Sequence, residues 1–322
     1  MISSFLHSPS WSCRQICPDI CDSALTLNLS GQIVKKIIDD EAGRIALFMF
    51  AANSLLFVPG TRPERFAKAK ASGAGLTVID LEDSVPPEDK HGARAAALVH
   101  IAENVEGWGL RINALATAAG VRDLTALLDA ATLPPVLLLP MVEAAAEAEL
   151  VAKLFGDRCP LLVPLVETPR GLRQAQAIAV APRVGAIMFG GGDFAAELGV
   201  EMAWEPLLGA RQALLLAAAE ARVAAIDVPF VGLDDPDGLA AECGRAQALG
   251  FAAKAAIHPS QVPVIEQAFR PSAAQIAEAE AALAAFDAAG GRAVRHEGRM
   301  LEKPIIMKYR ALLARSKGQI DA

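Results

Sequence analysis

The chain has 322 residues, of which 53% are hydrophobic, and its formal net charge at pH 7 is −7. A chain of this length can bury a large core, and α/β barrels often reach this size as one domain. No run of about 18 uncharged apolar residues occurs, so we expect no membrane-spanning helix. The negative charge argues against a nucleic-acid surface, because phosphate binding needs a dense basic face.

The cysteines do not predict a disulfide framework, because their number, 5, is odd. Cys13, Cys17 and Cys21 have a spacing of 4, but Pro18 interrupts a helical face. No fourth Cys, and no His other than the distant His7, completes a tetrahedral zinc site. We interpret them as an incidental, reduced set and expect a cytoplasmic protein.

Residues 1–50 differ in composition from the rest of the chain. They are rich in Ser and Cys and contain no signal-peptide pattern of basic, apolar and small residues. Residues 33–38 predict a short helical turn, and Met49 stands just before the first predicted strand. We interpret this segment as a flexible extension, or as the product of a translation start assigned too far upstream.

From residue 54 onward, apolar runs typical of buried strands alternate with Ala-rich helical patterns. The strands are predicted at residues 54–60, 76–83, 109–113, 135–143, 160–167, 184–193, 224–230 and 252–259. Eight strands joined by helical crossovers predict an α/β fold, namely a (β/α)8 TIM barrel that occupies residues 51–269. The alternative, a doubly wound open sheet, would carry a Gly-rich dinucleotide turn after its first strand, and this chain does not.

Capping and stop residues predict several helix boundaries within the barrel. Thr61 and Glu64 form a capping-box pattern at the start of one helix, which Gly73 ends. Another helix is predicted at residues 236–249 and is stopped by Gly250.

The chain continues beyond the last predicted strand with residues that a barrel does not need. Ser272 and Gln275 open a long helix that ends at Gly290, and a final basic helix begins at Pro304. We interpret residues 270–322 as a C-terminal helical arm that covers the barrel mouth of a neighbouring subunit.

A carboxylate stands at the end of two predicted strands. Glu167 follows the fifth strand and Asp193 ends the sixth. Ligands of parallel α/β sheets bind at the carboxyl ends of the strands, so these side chains should point into one crevice. Oxygen ligands alone suit a hard cation such as Mg²⁺, and residues 190–192, all Gly, offer backbone N–H groups to an oxyanion. In the alternative interpretation, both carboxylates only cap the helices that follow.

Further polar residues at strand ends are Asp80, Glu82, Asp83, Arg111, Asn113, Glu143 and His258. Arg111 suits a substrate carboxylate, because a guanidinium binds one bidentately. The alternative is an ion pair between Arg111 and Asp83 across the barrel top, and the two roles are compatible. His258 could serve as a base, but we favour a structural role in the loop that follows it.

The motifs SLLFVPGTRPERFAKA, VIDLEDSV, LRIN, PLVETPRG, FGGGDFAAELG and GFAAKAAIHPSQV follow one another from residue 54 onward. In this order they resemble the citrate lyase β-subunit-like group of the HpcH/HpaI aldolase family, which includes malyl-CoA and citramalyl-CoA lyases. The resemblance implies a (β/α)8 barrel, magnesium, and a homotrimer or hexamer whose C-terminal arms are exchanged between subunits. It also implies that Glu167 and Asp193 bind the metal and that Arg111 holds the carboxylate of a 2-oxo acid.

The same resemblance implies the coenzyme A contacts. Phe57, Arg62 and Lys68 fall in the segment that meets coenzyme A in the family, and Ile257 and His258 fall at the other contact region. The expected ligands are therefore an acyl-CoA and a 2-oxo acid. Gly191 and Gly192 lie where they would bind the substrate's oxygens.

The implied reaction cleaves a short β-hydroxyacyl-CoA of the citramalyl-CoA or malyl-CoA type into an acyl-CoA and a 2-oxo acid. The family's acid/base residue is an Asp of the arm within a pattern such as GKMIDMP. Here GRMLEKP places Glu302 at that position, one methylene longer, which shifts the carboxylate by about 1 Å. Met141 stands where the family often has a Lys.

Two other functions are compatible with the sequence. A class II aldolase would act on free 2-oxo acids without coenzyme A, and Asp83 would then be the base of interest. A non-catalytic citrate lyase β-like subunit would bind oxo acids beside a carrier partner. The arm with Glu302 favours the CoA lyase over the aldolase, and the presence of Glu167, Asp193 and Arg111 argues against a dead subunit.

Overall fold

The computed structural model describes the backbone of residues 34–39 and 44–320, and the side chains from residue 50 onward except residues 314–315 and 317–320. The three N-terminal cysteines, and with them most of the predicted extension, lie outside the described residues. Across the part of the chain that is described, no helix has both the length and the apolar character that a membrane crossing requires.

Parallel strands form a closed barrel, and the predicted (β/α)8 fold is confirmed. The strands are β3 (Ser54–Pro59), β4 (Leu76–Asp80), β5 (Trp108–Arg111), β6 (Val136–Leu139), β7 (Leu161–Val166), β8 (Ala186–Phe189), β9 (Ala224–Asp227) and β10 (Ala253–Ala256). The barrel closes because β10 pairs in parallel with both β9 and β3.

Helices follow the strands and surround the barrel. They are α1 (Phe66–Lys70), α2 (Lys90–Glu103), α3 (Ala118–Asp129), α4 (Ala145–Phe155), α5 (Pro169–Ala179), α6 (Gly191–Leu198), α7 (Trp204–Ala221), α8 (Pro236–Leu249) and α9 (Val262–Phe269). Gly250 ends α8 with a φ of 119°, as its position in the sequence predicts. Most strands end before the predicted boundary, so that Asp83 and Asp193 lie beyond β4 and β8 rather than within them.

Two predicted helix starts are wrong. Residues 34–39 form the strand β1 (Val34–Asp39), which pairs antiparallel with β2 (Arg44–Phe50). Branched apolar residues in both segments favour this pairing over a helical turn.

The helix after β3 is not capped by Thr61. A short 3₁₀ turn at Pro63–Arg65 precedes α1, and the N-cap residue of that turn, Arg62, makes no side-chain capping bond. Pro63 starts the turn because its fixed φ suits the first helical position.

The barrel interior is a packed apolar core. Leu55, Leu165 and Met188 belong to it and are at most 2% exposed. Alternate residues of the same strands, such as Leu56 and Val166, face outward and pack against the surrounding helices. Leu165 pairs with Met188 across β7 and β8, just below the strand ends where the polar residues begin.

The N-terminal end of the barrel is closed by the residues that precede β3. Phe50 is 5% exposed and belongs to the interior core. The side chain of Asn53 donates a hydrogen bond of 3.0 Å to Glu266 on α9, and Ser54 donates to the other carboxylate oxygen of Glu266. These contacts tie the start of the barrel to its last helix.

The C-terminal arm consists of α10 (Ala273–Ala288), the hairpin of β11 (Val294–His296) and β12 (Arg299–Leu301), and α11 (Lys303–Ile320). The predicted capping box of Ser272 and Gln275 is present at the start of α10. The arm has a small core of its own, in which Leu301 and Ile306 are each 2% exposed. The hairpin and both helices thus pack together, and Glu302 joins β12 to α11.

A chain that begins at Met49 should be as stable as the full chain. The sheet of β1 and β2 is separate from the barrel sheet, and the buried Phe50 is retained. A chain that begins at Ser54 should lose about 1.5–3 kcal/mol for Phe50 alone, and it also lacks Asn53. Urea unfolding of the three chains measures both effects. Equal losses for the two shortened chains would show that residues 1–48 support the fold.

Candidate functional site

A cavity of about 420 Å³ opens at the C-terminal ends of the barrel strands. The predicted site residues that line it are Phe57, Asp83, Arg111, Glu167, Gly191, Gly192, Asp193 and Ile257. They lie at or just after the ends of different strands, and the closed barrel brings them together although they are far apart in the sequence. This is the end at which barrels of this class hold their active sites.

Glu167, directly after β7, is 4% exposed. Its Oε2 accepts a hydrogen bond of 2.6 Å from the backbone N–H of Met141. Met141 has a φ of 54°, a left-handed conformation that costs a non-glycine residue roughly 1–2 kcal/mol. Burial raises the pKa of Glu167 to about 7, although the bond from Met141 acts in the opposite direction.

The glycine after β8 is required by its contact with Glu167. A Cβ atom at Gly190 would lie 2.0 Å from Cγ of Glu167 and 2.6 Å from its Oε1. Position 192 is different, since a Cβ atom at Gly192 would meet the sulfur of Met202 at 3.9 Å, an ordinary contact distance. The carboxylate of Glu167 is therefore held between Gly190 on one side and the Met141 amide on the other.

Asp193 lies in the first turn of α6. Burial, together with repulsion from Asp83, raises its pKa. The N-cap of α6 is Gly190, and the N-cap of α5 is Thr168, whose Oγ1 accepts from the backbone N–H of Gly171 at 3.0 Å. Neither Asp193 nor the glutamate before α5 is an N-cap, so both carboxylates are available to the cavity.

Arg111 is engaged in ion pairs at the edge of the cavity. Its Nε and Nη2 donate to the two carboxylate oxygens of Asp80 at 2.7 and 2.8 Å. Its Nη1 lies 3.0 Å from Glu82 and 3.4 Å from Asp83. The guanidinium carbon also lies 4.8 Å from the ring centroid of Phe57. The ion-pair interpretation thus extends to three carboxylates, while Arg111 still borders the cavity.

The carboxylates around Arg111 differ in their ionisation. Burial opposes the charged form of Asp80, but the attraction and hydrogen bonds of Arg111 together outweigh it and lower the pKa of Asp80. At Glu82 burial outweighs the attraction of Arg111, and with repulsion from Asp83 it raises the pKa to about 8. Asp80 is therefore ionised beside Arg111 at neutral pH, whereas Glu82 favours its protonated form.

Glu167 and Asp193 fit a hard divalent cation. They repel each other, and Asp83 repels both, so a bound cation would relieve unfavourable charge. Among the described residues, no group of three His, Cys, Asp or Glu side chains forms a metal cage. This agrees with magnesium, which keeps several waters and is often held by one or two carboxylates together with oxygens of the substrate.

A second cavity of about 340 Å³ adjoins the first, and Phe57, Pro59 and Ile257 line both. Arg65 and Lys68 give the second cavity a basic side. Sequence analysis named Lys68 but missed Arg65. Arg65 could have been predicted together with Lys68, because residues that are three positions apart lie on the same face of a helix.

His258, an exposed residue, lines the second cavity. Its Nδ1 accepts a hydrogen bond of 3.2 Å from the backbone N–H of Ser260, which caps the turn at Pro259–Gln261. The side chain of Gln261 accepts from the N–H of Ile257 at 2.9 Å. The loop after β10 is therefore ordered by its own side chains, which supports the structural role for His258 and presents its ring to the second cavity.

Two predicted site residues are not part of either cavity lining. Arg62 is exposed and lies 3.6 Å from Glu64. Glu302 is exposed on the arm, between β12 and α11. Within one chain, the carboxylate of Glu302 is thus separate from the cavity that holds the other predicted residues.

Sequence analysis did not predict the apolar residues of the first cavity, which include Leu165, Met188, Met202, Val228 and Val231. A signal existed for two of them. Leu165 and Met188 stand two positions before Glu167 and Gly190, and residues at this spacing on a strand face the same side. The other three lie after β8 and β9, where loop geometry decides the contact.

Comparisons with known proteins identify similar chains. Residues 53–259 match the family described as HpcH/HpaI aldolase/citrate lyase. The L-malyl-CoA/beta-methylmalyl-CoA lyase of Cereibacter sphaeroides is 33% identical over 306 residues, which cover 83% of this chain and 95% of the relative. The mitochondrial citramalyl-CoA lyase of Rattus norvegicus is 31% identical over 282 residues, which cover 79% of this chain and 82% of the relative.

A solved structure is also similar over most of the chain. It is CitE from Mycobacterium tuberculosis in complex with magnesium, acetoacetate and coenzyme A. The two chains are 36% identical and superpose with a TM-score of 0.71, over 83% of this chain and 98% of the other.

Replacing Gly190 by Ala should displace Glu167 and weaken metal binding, because the new Cβ would overlap the glutamate side chain. We expect an affinity loss of roughly 10-fold or more, the usual effect of disturbing a group that orients a metal ligand. Gly192→Ala is the matched control, since its Cβ has an ordinary contact. Calorimetric titration with magnesium measures both. Equal affinities of the two variants would contradict the role assigned to Gly190.

The raised pKa of Glu167 predicts how stability depends on pH without magnesium. The folded chain keeps a proton up to a pKa of about 7, whereas the unfolded chain releases it near pH ~4.3. This contribution to stability is complete below the unfolded pKa and is lost as the pH rises through about 7. Magnesium needs the ionised carboxylate, so its affinity should rise over the same range.

Thermal unfolding of the wild type and Glu167→Gln, from about pH 5 to about pH 8, tests this linkage. The difference between the two melting temperatures reports the proton held by Glu167, together with the effect that the charge of Glu167 has on the pKa of Glu82. We expect the difference to change with pH without magnesium. A constant difference would show that Glu167 does not hold a proton in the folded chain.

Proposed function

Because the chain belongs to the HpcH/HpaI aldolase/citrate lyase family, we propose that it is a magnesium-dependent carbon–carbon lyase of the citramalyl-CoA or malyl-CoA type. Its substrate is a short β-hydroxyacyl-CoA, and its products are an acyl-CoA and a 2-oxo acid. The observation that carries this proposal is the junction of the two cavities. An acidic cavity and a basic cavity share Phe57, Pro59 and Ile257, so one ligand can reach from one into the other.

The acidic cavity takes the 2-oxo acid half of the substrate. Glu167 and Asp193 hold magnesium, which when bound supplies a Lewis acid for the carbonyl that forms during cleavage. Gly191 and Gly192 lie in the first turn of α6, where backbone N–H groups lack partners within the helix. They donate to the carboxylate oxygens of the oxo acid, and Arg111 adds positive charge at the same edge.

The basic cavity takes coenzyme A. Arg65 and Lys68 on one side and His258 on the other line it, and the phosphates of coenzyme A are the anions they bind. The thioester then lies near Phe57 and Ile257, at the junction. A solved relative that contains magnesium, acetoacetate and coenzyme A together supports a site that takes both a small acid and coenzyme A.

Cleavage breaks the bond between the carbinol carbon and the carbon next to the thioester. A base removes the proton of the hydroxyl group, the electron pair of the broken bond moves to the thioester enolate, and an acid returns one proton to that enolate. We assign this proton transfer to Glu302. It is exposed on the arm and does not line the cavity of its own chain, so it acts on a neighbouring subunit of a homotrimer or hexamer.

Asp83 is the alternative proton-transfer residue. It lines the cavity, and its side chain is 64% exposed. Its position favours the runner-up function, an aldolase that acts on free 2-oxo acids without coenzyme A. The two assignments make different predictions for the same pair of variants.

Glu302→Gln should lower turnover of the best hydroxyacyl-CoA by on the order of 10²–10⁴, the usual contribution of a positioned general acid or base. Magnesium and oxo-acid binding should persist, because those ligands belong to the barrel. Asp83→Asn is the matched variant, and under the lyase assignment it should be the less damaging of the two. Full turnover of Glu302→Gln together with an inactive Asp83→Asn would move the proton transfer into the barrel and favour the aldolase.

Mixed oligomers test the exchange of arms. Subunits with Glu302→Gln retain an intact cavity, and subunits with Glu167→Gln retain an intact arm. Unfolding and refolding them together should restore part of the activity that each lacks alone. No recovery in mixed oligomers of confirmed composition would place Glu302 at the cavity of its own chain or outside the reaction.

A further inference from the structure

The cavity at the strand ends has an acidic side and an apolar side. The acidic side carries Asp83, Glu167 and Asp193. Away from the junction with the second cavity, the apolar residues are Leu165, Met188, Met202, Val228 and Val231. A ligand bound at the acidic side would therefore also lie beside hydrocarbon.

Leu165 and Met188 form the floor of this apolar side. They pair across β7 and β8 and are 1% and 2% exposed. Leu165 stands two residues before Glu167, and Met188 stands two residues before Gly190, which contacts Glu167. The floor therefore lies one layer deeper in the barrel interior than Glu167. Behind this floor lies the packed apolar core of the barrel interior.

Met202 and Val228 form a wall beside the floor. A Cβ atom at Gly191 would lie 3.2 Å from Val228, and one at Gly192 would lie 3.9 Å from the sulfur of Met202. The turn that leads into Asp193 is thus in close contact with hydrocarbon. Two methionines among these residues give the apolar side some adaptability, because the Met side chain is unbranched and flexible.

The cavity offers no second cation for a second carboxylate. Among the described residues that line it, Arg111 is the only Lys or Arg. Arg111 is already paired with Asp80, Glu82 and Asp83. A carboxylate placed against the floor would lose its water without gaining a partner, and such a transfer is strongly unfavourable.

Resting on the proposed lyase function, we infer that the substrate is a β-hydroxyacyl-CoA built on an alkyl 2-oxo acid, with Met188 and Met202 as specificity-determining residues. The oxo acid released carries one carboxylate and a small alkyl group, as pyruvate and 2-oxobutyrate do. A thioester built on oxaloacetate is excluded by its second carboxylate. A thioester built on glyoxylate carries a hydrogen in place of the alkyl group, so it leaves the apolar side of the cavity unfilled.

The test is a comparison of kcat/KM for four thioesters made from acetyl-CoA and glyoxylate, pyruvate, 2-oxobutyrate or oxaloacetate. The pyruvate compound should exceed the glyoxylate compound by roughly 10-fold or more, the usual value of one methyl group in an apolar pocket. It should exceed the oxaloacetate compound by roughly 100-fold or more, because the second carboxylate would lose its water against hydrocarbon without gaining a cationic partner. A preference for the oxaloacetate or glyoxylate compound would overturn the inference.

Two variants assign the preference to named residues. Met202→Lys supplies the missing cation, so it should raise kcat/KM for the oxaloacetate compound relative to the pyruvate compound. Met188→Ala enlarges the floor and should move the preference toward 2-oxobutyrate. Leu216→Ala is the control, because Leu216 is 74% exposed on α7 and should change neither ratio. Unchanged ratios in folded Met202→Lys and Met188→Ala would overturn the role of the two methionines.

Calorimetry with the free 2-oxo acids and magnesium separates this inference from the lyase function. If no thioester is cleaved but pyruvate and 2-oxobutyrate bind more tightly than glyoxylate and oxaloacetate, the lyase function fails and the apolar selection stands. If thioesters are cleaved and the oxaloacetate compound is the best, the lyase function stands and the inference fails. If none of the four acids binds, both fail.

Discussion

Several carboxylates meet at the C-terminal end of the barrel, where Asp80 and Glu167 are buried, and the site is arranged around the repulsion among them. Arg111 lies among them and neutralises Asp80 through two hydrogen bonds of 2.7 and 2.8 Å. Its remaining nitrogen lies 3.0 Å from Glu82, whose pKa nevertheless stays raised, chiefly by burial. Glu167 is left without a cationic side chain of its own. A site of this kind binds a divalent cation because the cation removes an existing electrostatic cost.

The apolar side of the cavity is held by a different set of charges, on the outer face of the barrel. Lys254 is fully buried, and its Nζ donates to Asp227, to the backbone carbonyl of Val228 and to Glu242, each at 2.7 Å. Asp227 also accepts from Arg211 at 2.8 Å. Buried ion pairs contribute little net stability against apolar replacements, but breaking one leaves an unpaired charge. Their consequence here is geometric, since they fix the backbone at Val228 beside the first turn of α6.

The sequence was sufficient to predict the barrel and to place several candidate site residues at the same end of it. Continuous apolar runs predict strands buried on both faces, and the carboxylate after a run, as at Glu167, must then lie at the strand's carboxyl end. The family and the enzyme class that the motifs implied, a carbon–carbon lyase, are confirmed by the matched relatives. The roles of the individual site residues stay predictions.

What the sequence did not predict depends on contacts between distant segments. The alternative interpretation paired Arg111 with Asp83. The strongest bonds of Arg111 are instead to Asp80, because Asp80 of β4 and Arg111 of β5 lie opposite each other in the strand register. Met202 and Val228 carry no motif. Met202 reaches the cavity from the segment between α6 and α7, and Val228 from the position directly after β9. Residues 33–38 were predicted as a helical turn, but residues 34–39 form a strand because they pair with residues 44–50. Local patterns cannot supply such long-range information.

Position 141 shows how a side chain and a backbone can have separate roles. Met141 stands where the family often has a Lys, so this chain has one positive charge fewer at that position, but Met141 is not among the residues that line the cavity. The cavity depends instead on the backbone N–H of this residue, which the left-handed φ of 54° directs to Glu167 at 2.6 Å. A hydrogen bond to a buried carboxylate is charge-assisted and stronger than a neutral one, which offsets the conformational strain. The backbone geometry at this position is therefore what the site requires, and the same N–H is available from either Lys or Met.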